Sequence, residues 1–363
     1  MIDLVVSNLE ALSLGIEQYE QVLINDMVTA YSRQTNAFLG DTEATLAIDT
    51  QRMPQSQLLV AFERWLGWWL LEKSAGFEPT FSGHIVTMRL NANGRSYIYT
   101  LENTFNYIVV LYQDTAGGTV NTIVREDTAS QNRWGRRDLI YQLKTPVPTS
   151  DASDIADDVI AQLAADPRPH LQDVAVGDDI LEINVLGCGQ LGTVASMSVG
   201  TAGFSDLDVM IGNTTNPIRR VERGRIETNT RQVHRVTEPM TALRRLEELM
   251  EVAGPGWHAG CYGAPLLDFY YTDKTMPYYK LLEMQSGGHR FEILNSGPIP
   301  PSMVMPGRYA VVEPTRVGLP STMYIGDVSF DLEEGLTISG VLEDKLARLE
   351  YDVAQSLAEV GIE

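Results

Sequence analysis

The sequence GWWLL at residues 67–71 returns in altered form as GRYAVV at residues 307–312. In both places a glycine enters an apolar, aromatic-containing segment, which is typical of a buried β-strand. A loop with a proline follows, and then Gly-x-Ile or Gly-x-Val opens the next strand, at residues 83–85 and 326–328. Glycine there suits a bulge or a close approach of two backbones. The matched landmarks favour an internal duplication; the alternative is a chance resemblance of two β-hairpins.

Around these landmarks the pattern is mainly that of β-strands. Residues 81–90 and 95–101 flank the turn sequence NANG and predict a hairpin. Further strands are predicted at residues 42–49, 68–72, 106–112, 180–185, 309–313 and 324–330.

A hinge lies between the two similar segments. It consists of NRWGRRD at residues 132–138 and the proline-bracketed break PVP at residues 146–148. A helix is predicted after it, from about 151 to 165, because Ile155, Val159 and Leu163 recur every four residues and form one apolar stripe. Ser150 or Ser153 is the expected N-cap.

The last predicted element is a helix from about Leu342 to Val360. Its apolar positions have the spacing of a coiled-coil seam; they are Leu342, Leu346, Leu349, Val353, Leu357 and Val360. The alternative is a helix that docks on the body of its own chain.

The composition is that of a folded protein with two or three domains. The chain has 363 residues, of which 44% are hydrophobic and 21% are charged, and a typical domain holds about 100–200 residues. The formal net charge is −21 at pH 7, and such a surface repels the phosphate backbone. Sequence-specific nucleic-acid binding is therefore not expected.

The chain is expected to be made in the cytosol and to have no membrane span. The first residues, MIDL, lack the basic and apolar regions of a secretion signal. The longest strongly apolar run covers residues 65–71, far fewer than the ~20 residues of a membrane helix.

No catalytic, cofactor or metal site is predicted. Residues 187–192, GCGQLG, spell a dinucleotide-binding fingerprint, but the next residues, TVASMSVG, favour strand where that site needs a helix. His258 with Cys261 supplies only two metal ligands, too few for a site. A glycine-rich hairpin and a structural cysteine account for these residues better.

The order of these parts resembles the hub proteins of phage tails and baseplates. That family includes the hubs of contractile and long-tailed phages, of gene transfer agents and of type VI secretion spikes. The resemblance is carried by FSGHI at 81–85, by WGRRD at 134–138 with the helix after it, and by PGRYAV at 306–311 before GDV at 326–328. Trp134 and Asp138 stand where family members often have tyrosine and glutamate.

The resemblance implies an α+β fold, mainly β, with two pseudo-equivalent β-barrel, tube-like domains. Smaller accessory α/β parts and the C-terminal helix complete it. The expected divisions are a first barrel domain with an accessory insertion (1–130), a hinge and helical linker (131–175), a second barrel domain (176–340) with an inserted α/β part (about 227–297), and the C-terminal helix (341–363).

The implied function is structural. A homotrimer would place six barrel units at the distal end of a tail tube, and an acidic channel would let DNA and the tape-measure protein pass, since like charges repel in a narrow passage. The implied partners are the distal tail-tube ring, the carboxyl end of the tape-measure protein and a central spike or fibre, in the virion tail. A subunit or domain interface is expected at Arg133, Trp134, Arg136, Arg137, Leu342, Leu346, Leu349 and Val353.

Two alternatives stay open from the residues alone. The arginines of the hinge suit a clamp on carboxylates or a solvated turn equally well. The whole chain is alternatively a tail-associated cell-wall hydrolase, or a carbohydrate-binding tail-tip module in which Trp68 and Trp69 face solvent.

Overall fold

The computed structural model describes most of the chain in residue detail. The described residues are 2–8, 20–37, 40–74, 79–115, 117, 120–134, 136–173, 179–188, 198–199, 219–223, 240–241, 257–263, 266–271, 277–283, 289–294, 297–299, 303–313 and 321–342.

The described part of the chain is mainly β, with 18 strands in one mixed sheet, three in a second and two in a third. In chain order the strands up to the hinge are β1 (Ile2–Ser7), β2 (Gln21–Leu23), β3 (Val28–Asn36), β4 (Gly40–Asp49), β5 (Trp69–Ser74), β6 (Pro79–Ala92), β7 (Arg95–Thr100), β8 (Tyr107–Gln113), β9 (Val120–Glu126) and β10 (Asp138–Gln142). After it come β11 (His170–Asp173), β12 (Ile180–Gly187), β13 (Ser198–Val199), β14 (Arg219–Arg223), β15 (Met240–Thr241), β16 (Trp257–Cys261), β17 (Leu266–Tyr271), β18 (Tyr279–Glu283), β19 (His289–Ile293), β20 (Gly297–Pro298), β21 (Tyr309–Glu313), β22 (Ser321–Asp331) and β23 (Gly335–Leu342). The helices of the described part are α1 (Gln55–Arg64), α2 (Thr128–Trp134) and α3 (Thr149–Leu163).

Eight strands of the large sheet lie side by side in the order β11–β7–β6–β12–β4–β3–β22–β23, each antiparallel to its neighbours. This array divides into two four-stranded halves. We call β11, β7, β6 and β12 the first unit, and β4, β3, β22 and β23 the second unit. The joint between the units is the pairing of β12 with β4.

The two units share one strand register. In the first unit Thr87 of β6 lies opposite Thr100 on one side and Asn184 on the other. In the second unit Asp327 of β22 lies opposite Asn36 and Ser339 in the same way. The match continues residue by residue between β6 and β22, between β7 and β3, and between β12 and β23. β11 corresponds to β4 in place, but their bulges lie at different positions. Each central strand also bulges at the equivalent residue, since the register skips Val86 in one and Gly326 in the other.

A further strand enters each unit from the same side. β5 pairs with the first half of β6 so that Trp69 faces His84, and β21 pairs with the first half of β22 so that Tyr309 faces Tyr324. Both of these pairs are aromatic contacts, with ring centroids 4.4 Å and 5.3 Å apart.

The register corrects the alignment that the sequence suggests. Gly83 and Gly326 are not equivalent, because Ile85 matches Ile325 and Gly326 therefore matches the bulge residue Val86. Neither glycine opens its strand, since β6 begins at Pro79 and β22 at Ser321.

The chain connects the two units differently. β7 follows β6 through a tight turn in which Asn93 and Gly94 both have positive φ, but its counterpart β3 comes from the amino-terminal part of the chain. β23 follows β22 directly, whereas its counterpart β12 comes long after β6. The arrangement in space is thus repeated while the order of strands along the chain is not.

The described residues form four hydrophobic cores, two under this array and one on each face of the three-stranded sheet of β8, β9 and β10. The largest lies under the first unit and the joint, where Leu46, Ile85 and Leu181 pack with Phe62 of α1 and with Trp134. A second core lies under the second unit around Ile325 and Val328. In the third, Ile108 and Val110 of β8 pack on α3 through residues such as Ala156 and Val159.

Several sequence predictions are confirmed and two are wrong. The hairpin of β6 and β7, the strands β8 and β12 and the helix α3 lie where the patterns predict them. The N-cap of α3 is Pro148, with no side-chain cap bond, and neither Ser150 nor Ser153 has that place. Leu342 ends β23 and does not begin a helix, because it pairs with Met323 of β22; residues 343–363 lie outside the described part.

In the described strands the pairings do not close into a barrel, since β11 and β23 end the array. Pairing also crosses the predicted divisions, because β3 and β4 from residues 1–130 join the sheet beside β22 and β12; the domain boundaries stay a prediction. None of the helices in the described part is long and apolar enough to cross a membrane.

Candidate assembly surface

A left-handed glycine marks the entry into each unit. Gly67 has φ +80° and Gly307 has φ +77°, a conformation that favours glycine because it lacks a Cβ atom. The N–H of Gly67 donates to the carbonyl of Ile85 at 2.8 Å, and that of Gly307 donates to Ile325 at 2.7 Å. The return bonds run from Ile85 to Trp68 at 2.8 Å and from Ile325 to Arg308 at 3.0 Å. Both units therefore contain the same pair of backbone hydrogen bonds, which we call the clasp.

One face of the eight-stranded array is covered with short polar side chains. A single row crosses most of the array, with one residue on each strand: Thr100, Thr87, Asn184, Thr45, Ser32 and Asp331. Hydroxyl groups bond across strands within this row, at 2.7 Å between Thr87 and Thr100 and 2.9 Å between Ser32 and Thr45. Alternate residues of the same strands point to the opposite face and form the cores. We call this surface the polar face.

The polar face is acidic. Its carboxylates among the described residues are Glu43, Asp49, Glu182, Asp327 and Asp331. The guanidinium of Arg89 lies 3.8 Å from Glu182, and that of Arg52 lies 3.2 Å from Asp49, so these carboxylates outnumber the arginines that pair with them. The surface therefore repels anions across both units.

The array has two open edges. Among the described strands, β11 pairs only with β7, and β23 pairs only with β22. Unpaired backbone N–H and C=O groups along such edges are ready to pair with another strand. Leu171 of β11 is 57% exposed at one of these edges.

The predicted hinge motif is folded against the first unit. The Nη1 atom of Arg133 lies 2.5 Å from Asp166, and the indole N–H of Trp134 donates to the same carboxylate at 2.9 Å. The Trp134 ring also packs on Gly67, where an added Cβ would lie only 3.1 Å from the ring. The motif thus ties α2 and the segment after α3 to the entry glycine.

The other two arginines of the motif also have partners within the chain. Arg136 makes two hydrogen bonds to Asp138, at 2.7 Å and 3.2 Å, and both side chains are buried. Its guanidinium stacks on the Tyr107 ring, 3.6 Å from the centroid. Arg137 donates to the carbonyl of Thr104 at 2.8 Å. A contact of Arg133, Trp134, Arg136 and Arg137 with a second subunit stays a prediction.

The remaining residues of the predicted interface are placed as follows. Leu342 is the last residue of β23. Leu346, Leu349 and Val353 lie outside the described residues, so the predicted coiled-coil seam stays a prediction.

A buried polar cluster under the joint was not predicted from the sequence. Arg33 and Glu72 form a salt bridge of 2.7 Å with both side chains almost fully buried. The Glu72 carboxylate also accepts from the hydroxyls of Tyr31 at 2.8 Å and Thr80 at 2.6 Å. The signal was present in the sequence, because Arg33 and Glu72 interrupt the inward positions of apolar strands.

Asp41 is the second centre of this cluster and is fully buried. Its carboxylate accepts the backbone N–H of Ser82 at 2.9 Å and of Gly263 at 2.8 Å, and the Cys188 thiol lies 3.6 Å away. Burial raises the pKa of Asp41 to about 7, against the lowering effect of these donors and of Arg33. Asp41 thus joins both units to the segment that contains β16 and β17.

The two tryptophans of the carbohydrate-binding alternative are not exposed side by side. Trp69 is only 2% exposed and Trp68 packs against the main core, so these tryptophans do not form a sugar-binding platform. Among the described residues there is no group of three or more histidine, cysteine or carboxylate side chains suited to a metal ion.

Comparison with known proteins gave the following results. No protein-family model matches the chain, and no curated protein matches it. Among solved structures, the chain is similar to the crystal structure of the tail protein from Neisseria meningitidis MC58, with 8% sequence identity and a TM-score of 0.47 over 94% of this chain and 96% of that one.

Proposed function

We propose that the protein is a structural hub of a phage-like tail or baseplate. Three copies form a ring of six units that closes the distal end of the tail tube. The ring surrounds an acidic channel for the tape-measure protein and DNA, and it has no catalytic activity. Each unit, with the strands that pack beside it, is one wall segment of this tube.

The observation that carries the proposal is the side-by-side repeat of two units in one register. Units that follow one another across a sheet with the same step produce a continuous wall. One chain already contains two units placed side by side by strand pairing. Further copies of the chain extend the wall if the same placement is repeated between chains. Three chains then match a six-fold tube.

The chemistry of the polar face supports its assignment to the channel. Short hydroxyl and amide side chains offer few apolar contacts to a passing polypeptide. The carboxylates, including Glu43, Glu182 and Asp327, repel the phosphate backbone. The opposite face is apolar and is covered by the cores, so it cannot line an aqueous passage.

The partners follow from the position of a hub. They are two further copies of the chain, the distal ring of the tail tube on one side, and a spike or fibre protein on the other. The carboxyl end of the tape-measure protein lies in the channel. The hinge residues Arg133 and Arg137 lie at the accessory part of the chain and are proposed to contact a neighbouring subunit.

Cryo-electron microscopy of the purified protein tests the proposal. We expect a ring with three-fold symmetry and a six-fold appearance, in which the row from Thr100 to Asp331 faces the central passage. A solid particle, or a ring with the polar face on its outer surface, would contradict it.

A further inference from the structure

The joint between the two units shows how one unit follows another. β12 pairs with β4 from Ile180 to Leu186 in an antiparallel register. At one end of this joint Asn184 lies opposite Thr45, Val185 opposite Ala44, and Leu186 opposite Glu43. Val185 and Ala44 are both buried, at 2% exposure each.

The two open edges are the counterparts of the strands in this joint. β23 corresponds to β12, so Ser339, Gly340 and Val341 take the places of Asn184, Val185 and Leu186. β11 corresponds to β4, so His170 and Leu171 take the places of Glu43 and Ala44. Asp173 takes the place of Thr45, because β11 bulges at Gln172 where β4 is regular. One end of the array therefore presents the β12-type edge and the other presents the β4-type edge.

We propose that β23 of one copy pairs with β11 of a second copy of this chain, in the register of the internal joint. His170 then faces Val341, Leu171 faces Gly340, and Asp173 faces Ser339. We call this contact the seam. It rests on the proposed ring, and it specifies which strands meet and in which register.

The side chains at the seam support this register. Leu171 is 57% exposed, whereas its counterpart Ala44 is buried by β12. In the proposed seam the large Leu171 faces Gly340, which has no side chain, where the internal joint has the smaller Ala44 opposite Val185. The combined volume is therefore similar at both contacts, and the exposed leucine becomes buried.

The seam is head-to-tail, because it joins two different edges. Such a contact either closes into a ring or continues as an open chain, and it cannot form a two-fold dimer through equal surfaces. It also satisfies the backbone groups that both edges leave unpaired.

Paired cysteines test the seam in the full-length protein. Residues opposite each other in antiparallel strands have Cβ atoms about 4.5–5.5 Å apart, within reach of a disulfide. Leu171→Cys with Gly340→Cys, and separately His170→Cys with Val341→Cys, are expected to give covalently linked chains under mild oxidation. The control is His170→Cys with Thr337→Cys, which lie four positions out of register, roughly 13 Å apart.

The cross-linked products test the seam and the proposed ring independently. Covalent trimers from the two matched pairs, without linkage in the control, are the expected result. A native trimer that does not cross-link, or a dimer linked through Leu171→Cys alone, overturns the seam and leaves the ring standing. Cross-linked species of unlimited size support the seam and overturn ring closure, and an unlinked monomer overturns both.

A single substitution provides a second test that does not depend on cross-linking. Leu171→Lys places a charge at the buried centre of the seam and is expected to weaken assembly about tenfold or more, measured by sedimentation across a dilution series. Leu23→Lys is the matched control, since Leu23 is 59% exposed on β2, outside the seam. Equal effects of the two substitutions overturn the seam.

Discussion

The salt bridge between Arg33 and Glu72 is the clearest residue-scale determinant of stability. Both side chains are buried, and Glu72 is also bonded to Tyr31 and Thr80. Removal of one partner leaves a charge without compensation in the protein interior. We therefore expect Arg33→Met to lower the free energy of unfolding by roughly 3–5 kcal/mol, measured by urea denaturation.

The matched control for this substitution is an exposed pair of the same type. Arg89 and Glu182 lie 3.8 Å apart with side chains 43% and 48% exposed. Arg89→Met is expected to change the free energy of unfolding by no more than about 1 kcal/mol. A similar loss of unfolding free energy in both variants would show that the buried salt bridge contributes no more to stability than the exposed one.

Asp41 predicts a dependence of stability on pH. Its folded pKa of about 7 lies above the ordinary value of 3.8. The folded protein therefore holds a proton that the unfolded chain releases between these two values. The contribution of this group to stability is complete below about pH 4, falls as the pH rises, and is lost above about pH 7.

The measurement compares unfolding of the wild type and of Asp41→Asn at several pH values. The amide cannot ionise, so the pH-dependent loss of stability should be absent from the variant. The free energy of unfolding of the variant, relative to that of the wild type, should therefore rise by more than about 1 kcal/mol between pH 4.5 and pH 8. Thr45→Val on the same strand removes no titratable group, so it serves as the control and should show no such trend. A constant difference for Asp41→Asn over this range would refute a protonated Asp41.

These residues also show why the sequence did not predict the cluster. Arg33, Asp41 and Glu72 belong to three different strands, and Glu72 lies far along the chain from the other two. Arg33 and Glu72 stand at inward positions of their strands. Asp41 stands in phase with the exposed Glu43 and Thr45, and the bulge between Asp41 and Glu43 turns it inward. The partner of an inward charge, however, is set by strand register, which the local pattern does not contain.

At the scale of single elements, the entry glycines are the features that the repeat depends on. Alanine at a positive φ costs about 1–2 kcal/mol, so Gly67→Ala and Gly307→Ala should each destabilise the protein by at least that amount. Gly67→Ala should cost more than the backbone conformation alone requires, since the new methyl group would lie 3.1 Å from Trp134.

Gly326 provides the control for both substitutions. It lies at the bulge of β22, and an added Cβ would be 3.5 Å from the nearest atom, an ordinary contact. Gly326→Ala is expected to have a small effect on thermal unfolding. A loss as large as that of Gly307→Ala would contradict the importance of the left-handed clasp.

Much of the secondary structure could be predicted, because it follows from local patterns. The NANG turn fixes the hairpin of β6 and β7, and the four-residue spacing of Ile155 and Val159 fixes α3. In the second unit β3 occupies the position that β7 has in the first. This could not be predicted, since it depends on pairing between distant segments. Leu342 was misassigned because its apolar spacing fits the end of β23 as well as a helix.

The polar face predicts a change in DNA binding when its charge is reversed. Glu43→Lys, Glu182→Lys and Asp327→Lys together should leave assembly intact but create an affinity for short duplex DNA that falls with salt concentration. The control reverses three acids elsewhere, Glu63, Asp154 and Asp158. Equal DNA binding by both triple variants, in an electrophoretic assay, would count against the polar face as the channel lining.

At the scale of the whole molecule, one chain contains two units that differ in connectivity but share a register. The majority of equivalent positions in the two units carry different residues, as Trp69 and Tyr309 do. The bulges, the clasp and the strand order are the same in both. Geometry is retained where it determines how a unit meets its neighbour.

The central claim is that three chains complete what each chain begins, a closed ring of six units. Native mass spectrometry of the purified protein measures this directly. We predict a single assembly with three times the mass of one chain. It should be stable on dilution in the wild type and less stable in the Leu171→Lys variant. A stable monomer, an even-numbered assembly or an open series of masses would contradict the claim.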